Sequence, residues 1–373
     1  MTRRPRSTGA MPVRPPAVTP APPAAAASEP AFNAPMGDGH APPATDRAAG
    51  ESTYLQAISR GLRDEMRRDE RVLLMGEDIA VMGGAFKITH GFLDEFGPQR
   101  VVDTPIAESA IIGACIGLAL MGRRPVAEMQ FADFITCGFN QLVNNAATWH
   151  YRTGTPLPFV VRLPAGGNIA GGPFHSRCPE AWFVHQPGLK VVAPATAEDA
   201  LGLLVAAMRD DNPVIYLEHK YLYRRQKAVL PSGDHVAEIG RAAVRRAGTD
   251  ALVVTYGWMV HEAVAAAEAI AREGLGEVEV LDLRSLLPYD GETILLRAAA
   301  CRRVLVLHEA TLVGGFGGEI AAFIGEHGFE SLDAPVMRLG ALDAPVPFAQ
   351  PLEKAFLPTR EKIEASLKSL LSW

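Results

Sequence analysis

The chain has 373 residues, with 36 Lys and Arg against 42 Asp and Glu, so its formal net charge is −6. A chain of this length can bury a large core, and an apolar content of 48% is typical of a globular protein. The mild acidity argues against a nucleic-acid binder, since such a protein needs a basic face to meet phosphates. The longest apolar run, at 110–121, is shorter than the roughly 20 residues that cross a bilayer, so we expect no membrane protein.

The first 50 residues differ in composition from the rest, with 11 Pro and 13 Ala. They show no apolar periodicity, and such a segment cannot bury enough surface to offset its ordering entropy, so a disordered tail is predicted at 1–50. Four arginines precede the first acidic residue, Glu29, as in a transit peptide. Six prolines between positions 12 and 23 oppose the amphipathic helix of such peptides, so we favour a tethering tail over an import signal.

Helical and strand patterns then alternate. Helical spacing predicts a helix over 53–68 with Ser52 or Thr53 as its cap, and short apolar runs predict buried strands at 71–75, 125–128, 159–162, 190–193 and 214–218. Strands that alternate with helices indicate a parallel sheet covered on both faces.

Turn-forming residues at 230–235 mark a break. A second α/β unit follows, with a helix predicted at 260–272 and strands at 251–256, 277–282 and 303–308. We therefore expect an α/β fold of two domains behind the tail, at 51–235 and 236–373.

The four cysteines are sparse and irregular: Cys115, Cys137, Cys178 and Cys301. They form no C-x-x-C pair, so the sequence indicates neither a structural zinc site nor a disulfide framework. This usage fits a reducing compartment, and because a tethering tail is favoured over an import signal, we expect a cytoplasmic protein rather than one of the mitochondrial matrix.

A carboxylate stands at the entry of an apolar helix. Residues 103–109 read DTPIAES and lead directly into IIGACIGLALMG, with Glu108 at the start. Glu108 can simply favour the helix dipole or act as a cap, each worth about 0.3–1 kcal/mol. It can equally exchange a hydrogen bond or a proton with a bound heterocycle from an apolar pocket. The residues alone leave both interpretations open.

A glycine-rich loop at 165–180 reads AGGNIAGGPFHSRCPE. Its four glycines allow the backbone to approach a ligand closely, and His175 is either a proton donor near neutral pH or a solvated loop residue. Cys178 could form a nucleophile pair with His175, or both could bind a metal with His185, but no local signature supports either reading and we favour ordinary packing. A second stretch, GGFGG at 314–318, lacks the dinucleotide and P-loop patterns and is interpreted as a tight strand-to-helix turn.

Longer segments in a fixed order resemble one family: DTPIAES, RPVAEMQFADF (124–134), HSRCPEAWF (175–183), HQPGLKVVAP (185–194), RDDNPVIYLEHKYLYR (209–224) and VTYGWMVHEA (254–263). They are similar to the beta subunit of the thiamine-diphosphate-dependent, decarboxylating component of 2-oxo acid dehydrogenase complexes. The likeness runs from about Thr53 to the C-terminus. It implies a transketolase-like pyrimidine-binding domain at 51–235 and a transketolase-like C-terminal domain at 236–373.

The resemblance also implies roles. Glu108 matches the acid that hydrogen-bonds the aminopyrimidine ring of the coenzyme, and His175 matches a histidine that binds the 2-oxo acid intermediate or supplies a proton during reductive acylation of the lipoyl group. Ile106, Gln130 and Phe134 match positions that line the coenzyme and substrate pocket. A structural potassium site is matched by Asp210 and Asn212, with backbone carbonyls near Phe159 and Ala207.

Two departures from the family pattern stand out. Many relatives have Tyr where this chain has Phe134, so the role of that hydroxyl is missing or supplied elsewhere. Many have Gln where this chain has Arg177, whose added charge could shift substrate preference or bind an acidic surface of the lipoyl domain.

The motif that holds the diphosphate and Mg²⁺ in this enzyme class is GDG followed by an Asn pair about 30 residues later. Here Gly37–Asp38–Gly39 lies in the tail and Asn144–Asn145 lies over 100 residues away, so the match is interpreted as coincidence. The resemblance therefore implies that an alpha subunit holds Mg²⁺ and the diphosphate, in an α2β2 heterotetramer docked to a dihydrolipoyl acyltransferase core.

The substrate expected from the resemblance is a branched-chain 2-oxo acid, with pyruvate and acetoin as alternatives. A different class of function, a non-catalytic assembly subunit with this fold, would predict loss of Glu108 or His175, and both are present.

Overall fold

The computed structural model describes residues 50–373. The predicted tail, apart from Gly50, and the Gly37–Asp38–Gly39 motif lie outside these residues. All four cysteines lie within them and none is paired, as the sequence predicts. Among the helices of residues 50–373, none combines the length and apolarity needed to cross a membrane.

Strands and helices alternate from residue 52 onward. The strands of the first part are β1 (Ser52–Thr53), β2 (Val72–Gly76), β3 (Val101–Asp103), β4 (Arg124–Glu128), β5 (Val160–Ala165), β6 (Lys190–Val192), β7 (Val214–His219) and β8 (Lys227–Ala228). Its helices are α1 (Tyr54–Arg68), α2 (Phe92–Phe96), α3 (Glu108–Leu120), α4 (Ala147–Thr153), α5 (Glu180–Val184) and α6 (Ala197–Arg209). Short 3-10 segments occur at Ala132–Gly138, Gly172–Phe174 and Lys220–Leu222, and a π-helical segment occurs at Gln141–Ala146.

The second part continues the pattern. Its strands are β9 (Ala243–Arg246), β10 (Ala251–Thr255), β11 (Val278–Asp282), β12 (Ser285–Leu287), β13 (Val304–Thr311) and β14 (Met337–Ala341). Its helices are α7 (Met259–Arg272), α8 (Gly291–Cys301), α9 (Gly317–His327), α10 (Gln350–Phe356) and α11 (Arg360–Leu371), with a 3-10 turn at Phe329–Ser331. The GGFGG stretch forms the turn between β13 and α9, as predicted.

The first helix shows how local sequence sets an element. Thr53 caps α1 through a reciprocal pair, in which its hydroxyl accepts from the Gln56 amide at 3.2 Å and the Gln56 side chain accepts from the Thr53 amide at 2.8 Å. The apolar residues at helical spacing, Ile58, Leu62 and Met66, are all buried, so α1 presents one apolar face to the core.

Two larger sheets organise the chain. The seven-stranded sheet has the order β12-β6-β7-β5-β4-β2-β3, and the five-stranded sheet has the order β14-β13-β10-β11-β9. Their paired strands run parallel except for the edge strands β12 and β9, which are antiparallel to their neighbours. The predicted parallel α/β architecture is thus present.

The two parts share a sheet as well as a core. Strand β12 follows residue 236 in sequence, yet it pairs with β6 of the first sheet, with Ser285 opposite Val192. Leu283 and Leu286 on either side of this pairing are buried in the same apolar cluster as Val191. Sequence patterns did not anticipate this exchange, because a three-residue strand leaves no periodic signal.

One buried cation ties three strands of the first sheet together. Arg162 of β5 is 1% exposed, and its guanidinium donates to Glu218 of β7 at 2.5 and 2.9 Å and also pairs with Glu128 of β4. The hydroxyl of Tyr223 adds a 2.8 Å hydrogen bond to Glu218. Burial alone would lower the pKa of Arg162, but the two carboxylates raise it overall, so the guanidinium stays charged.

Arg162→Met should destabilise the protein by about 3–5 kcal/mol, because two buried carboxylates lose their cation. Urea unfolding followed by circular dichroism measures the change. Arg241→Met is the matched control, since Arg241 forms an exposed ion pair with Glu238 and such a pair contributes at most about 1 kcal/mol. An equal loss in both variants would contradict a special role for the buried cluster.

Candidate active site

The candidate residues emerge from one edge of the seven-stranded sheet. Strand β2 is parallel to β3 and to β4, and β4 is parallel to β5. The carboxyl ends of all four strands therefore lie at the same edge of the sheet. The connections that leave this edge carry Glu108, Gln130, Phe134 and His175. Carboxyl edges of parallel sheets are where such folds bind ligands, and the sequence motifs are brought together there.

Glu108 is the first residue of α3 and is partly buried. A second acid, Glu77, directly follows β2 and is buried. Burial, together with the nearby charge of Glu108, raises the pKa of the Glu77 carboxyl. Sequence reasoning missed Glu77, although its place directly after a buried strand was a usable signal. The pair of carboxylates forms the acidic side of the site.

The loop that leads to Glu108 holds an unsatisfied polar atom. The hydroxyl of Thr104 is buried and has no hydrogen-bond partner among residues 50–373. Ile106, two residues before the helix, is 83% exposed. A buried hydroxyl without a partner beside a carboxylate and an exposed apolar side chain is a suitable lining for a polar, flat heterocycle.

His175 lies in an aromatic surround. Its ring centroid is 4.5 Å from that of Phe131 and 5.6 Å from that of Phe134, both edge-on. Its Nδ1 is 3.2 Å from the carbonyl oxygen of Gly171. Phe134 therefore contacts the imidazole through an apolar ring. A tyrosine at this position would add a hydroxyl to the same region.

The 3-10 segment Ala132–Gly138 lies against both candidate catalytic residues, Glu108 and His175. Near its start, Phe134 contacts His175. At its end, Gly138 packs so closely on α3 that an added Cβ would lie 3.2 Å from the Glu108 carbonyl oxygen. This one short segment thus sets the relative placement of the acid and the imidazole.

The glycines of the glycine-rich loop pack against side chains of the protein. A Cβ on Gly166 would overlap the His219 ring, and one on Gly172 would overlap the Phe348 ring. The His219 ring belongs to the first part of the chain and the Phe348 ring to the second, so both parts pack on this loop.

The nucleophile reading of Cys178 is not supported. Its thiol points to Glu309 Oε1, with an Sγ–O distance of 3.7 Å, rather than to His175. Burial and the nearby Glu309 carboxylate raise the pKa of Cys178 well above its usual range, so no thiolate forms at neutral pH. The metal reading with His185 is also unsupported, since residues 50–373 contain no cluster of three His, Cys, Asp or Glu placed to hold a metal ion.

Arg177 is engaged within its own loop. Its Nε donates to the Pro173 carbonyl at 2.6 Å and lies 3.3 Å from Oδ1 of the buried Asp133. The side chain remains 38% exposed. It is therefore a partly accessible cation two residues from the candidate catalytic histidine.

The residues of the expected potassium site gather at the C-terminal end of α6. Ala207 and Asp210 end this helix, and the Phe159 carbonyl accepts from the Val214 amide at 3.0 Å just beyond Asn212. Oxygen atoms at the negative end of a helix dipole suit a hard monovalent cation.

Two basic side chains also occupy this region. Arg124 donates to the Asp210 carbonyl at 2.9 Å, and Lys190 pairs with the Asp210 carboxylate.

A buried acid joins the loop after His175 to the second part of the chain. Glu180 begins α5, is 2% exposed, and accepts a 2.7 Å hydrogen bond from the Tyr256 hydroxyl at the end of β10. Burial raises the pKa of Glu180 to about 7, and the Tyr256 hydrogen bond only partly offsets it.

This raised pKa predicts a pH dependence of stability. Between the usual value near 4.5 and about 7, the folded state holds a proton that the unfolded state has lost, so stability falls as pH rises. Between pH 5 and 7 the Glu180 carboxyl lowers the free energy of unfolding by up to about 1.4 kcal/mol per pH unit. Glu180→Gln should remove this part of the pH dependence. Urea unfolding across that range measures it, and an unchanged slope would contradict the assignment. Tyr256→Phe is the control, which keeps the titrating group.

The fold and this edge site define a transketolase-type, thiamine-enzyme chain. Residues 51–226 match the family model "Transketolase, pyrimidine binding domain", and residues 240–363 match "Transketolase, C-terminal domain". The chain belongs to the family of beta subunits of 2-oxo acid dehydrogenases, as the resemblance of its motifs predicted.

Three relatives illustrate this membership. The 2-oxoisovalerate dehydrogenase subunit beta of Bacillus subtilis is 46% identical over 321 residues, covering 85% of this chain and 98% of that one. The 3-methyl-2-oxobutanoate dehydrogenase subunit beta of Mycobacterium tuberculosis is 44% identical, covering 83% and 89%. The pyruvate dehydrogenase E1 component subunit beta of Bacillus subtilis is 40% identical, covering 87% and 99%.

A solved structure shares the fold. It is described as a split-gene transketolase, an inactive beta4 tetramer, and it superposes with a TM-score of 0.69 over 87% of this chain and 99% of its own. At 23% identity this likeness concerns the fold alone.

Proposed function

We propose that this chain contributes half of the active site of a thiamine-diphosphate-dependent dehydrogenase that acts on a branched-chain 2-oxo acid. The observation that carries the proposal is the joint placement of Glu108 and His175 by one 3-10 segment at the carboxyl edge of the sheet. In the reaction, the bond between C1 and C2 of the 2-oxo acid breaks and carbon dioxide leaves. The acyl carbon is oxidised while a lipoyl disulfide is reduced to a thioester and a thiol.

Thiamine diphosphate, when bound, supplies the electron sink for this cleavage. The residues at the edge suit its aminopyrimidine half: Glu108 offers a carboxyl to a ring nitrogen, Thr104 has an unsatisfied hydroxyl, and Ile106 offers apolar contact. Glu108 would hold a proton shared with that nitrogen. Because Nδ1 of His175 faces the Gly171 carbonyl, its Nε2 is left to give or take a proton at the substrate.

An alpha subunit is part of the proposal. Apolar side chains near the site are widely exposed, among them Val81, Met82, Ile106 and Phe174. Exposed apolar groups around a site mark a surface that a partner covers. Asn144, whose match to the diphosphate motif we interpret as coincidence, lies on the π-helical segment and donates to Asn140 at 2.8 Å. We therefore assign the diphosphate and Mg²⁺ to the alpha subunit of an α2β2 assembly on an acyltransferase core, in the cytoplasm.

The branched-chain preference rests on two supports. The aromatic rings of Phe131 and Phe134 give the region around His175 an apolar character that suits a branched aliphatic side chain. Relatives at 46% and 44% identity are named for branched 2-oxo acids, against 40% for one named for pyruvate.

Glu108→Gln should lower kcat of the assembled alpha–beta enzyme about 10²–10⁴-fold, because the carboxyl can no longer move a proton at the coenzyme ring. The assay is dye-coupled oxidation of 3-methyl-2-oxobutanoate, pyruvate and acetoin, with and without thiamine diphosphate. We expect coenzyme-dependent turnover, fastest with 3-methyl-2-oxobutanoate, and none from the isolated chain.

The matched control is Glu292→Gln. Glu292 also lies in the first turn of a helix, α8, and is exposed, so it tests the helix-dipole interpretation of Glu108. If the two variants behave alike, Glu108 is a capping residue. If the assembled enzyme turns over none of the three substrates, the chain is a non-catalytic assembly subunit with this fold.

We also propose a structural potassium site. The ligands would be carbonyl oxygens of Phe159 and Ala207 together with Asp210 and Asn212. Ala207 and Asp210 lie at the end of α6, where the helix dipole favours a cation.

Replacing potassium by choline at constant ionic strength should lower the thermal midpoint of the assembled enzyme by several degrees, roughly the effect of losing 1–2 kcal/mol of ligand binding. Asp210→Ala should remove most of this difference. Equal midpoints in the two salts would contradict the potassium site.

A further inference from the structure

We infer that Glu309 and Glu353 are positioning residues that hold the glycine-rich loop in the conformation that presents His175. Both carboxylates come from the second part of the chain, within the residues that match the C-terminal domain model. The catalytic consequence rests on the proposed function, whereas the structural consequence can be tested without it.

Glu309 links the loop to the sheet. It lies in β13, is buried, and its Oε1 accepts from the Gly167 amide at 2.6 Å. Its Oε2 is 2.7 Å from Nε2 of His219, at the end of β7. Burial alone would raise the pKa of Glu309, but His219 and the Gly167 amide lower it overall, so the acceptor is a carboxylate.

Glu353 holds the loop three residues further on. It lies in α10, is 2% exposed, and its Oε2 accepts from the Ala170 amide at 2.9 Å. A Cβ on Gly167 would lie 3.2 Å from Glu353 Oε1 and 3.4 Å from Glu309 Oε1. The two carboxylates thus bracket the same turn of backbone, and an added Cβ there would be tight against Glu353.

The loop needs such external support. Asn168 and Ala170 have φ values of 63° and 54°, in the left-handed region that side chains disfavour. This conformation carries a free-energy penalty and persists only where surrounding contacts over-determine it. The hydrogen bonds from Gly167 and Ala170 to the carboxylates are those contacts.

The held backbone leads directly to the imidazole. Gly172, with φ of 66°, packs on the ring of Phe348, a third contact from the second part of the chain. Next to it, the carbonyl of Gly171 receives Nδ1 of His175. Fixing the backbone at 167–172 therefore fixes the imidazole, although none of the three supporting side chains touches it.

A purely structural reading assigns the two acids to a buried charge cluster. Lys220, whose ammonium is buried nearby, has its pKa lowered by burial to about 8 and is influenced by Glu309 and Glu353. In that reading, removing either carboxylate weakens the whole protein. Positioning instead predicts a local effect at 166–175, which is a measurable difference.

The experiment uses the assembled alpha–beta enzyme with Glu353→Ala, Glu353→Gln and Glu309→Gln. The control is Glu279→Gln, since Glu279 is equally buried but pairs with Arg297 on α8. Hydrogen exchange of peptides covering 166–175 and the kinetic constants for 3-methyl-2-oxobutanoate are the two readouts.

We expect Glu353→Ala to speed exchange at 166–175 about 10- to 100-fold, the factor that follows from losing one hydrogen bond to a charged acceptor. The value of kcat should fall about 10- to 100-fold, as for a displaced catalytic group, while KM changes less than about threefold. Glu353→Gln keeps an acceptor for the Ala170 amide and should restore most of both values. Glu309→Gln should loosen the same peptides, because one amide oxygen cannot replace the two carboxylate oxygens that face Gly167 and His219.

Unchanged exchange at 166–175, or faster exchange spread over the chain as in Glu279→Gln, would overturn the inference. If the unsubstituted assembly shows no turnover but exchange responds locally, the proposed function fails and the positioning role stands. If the assembly is active and Glu353→Ala retains kcat, the proposed function stands and the positioning role fails.

Discussion

The buried guanidinium of Arg162 is the interaction on which the site geometry rests. It joins the carboxylates of Glu128 and Glu218, so β4, β5 and β7 are held in register near their carboxyl ends. The loops that carry the candidate catalytic residues leave from this same edge of the sheet. Because a buried charge without its partners is strongly unfavourable, the three strands cannot shift relative to one another without losing much of the stability of the fold.

A second constraint comes from the contacts between the two parts of the chain. Strand β12 completes the first sheet, Tyr256 donates to Glu180, and Glu309 reaches the loop that follows β5. The second part is therefore integral to the loop that presents His175.

The acids of this protein divide into two groups by their surroundings. Glu128, Glu218 and Glu309 are buried beside an arginine or a histidine, which holds them in place. Glu77 and Glu108 lie at the open edge, and within residues 50–373 they form no ion pair, while burial and mutual repulsion raise the pKa of Glu77. A paired cation therefore distinguishes the supporting acids from the candidate catalytic ones.

Local patterns in the sequence were sufficient for the helix α1 with its cap, for the alternating strands, and for the motifs that contain Glu108 and His175. Each of these features depends on residues a few positions apart, so helical spacing, capping chemistry or a continuous motif predicts it from the sequence. The pairing of β12 with β6 and the support of the glycine loop by Glu309 and Glu353 left no such signal. They join residues more than 90 positions apart, and only the packing of the folded chain brings these groups within hydrogen-bond distance.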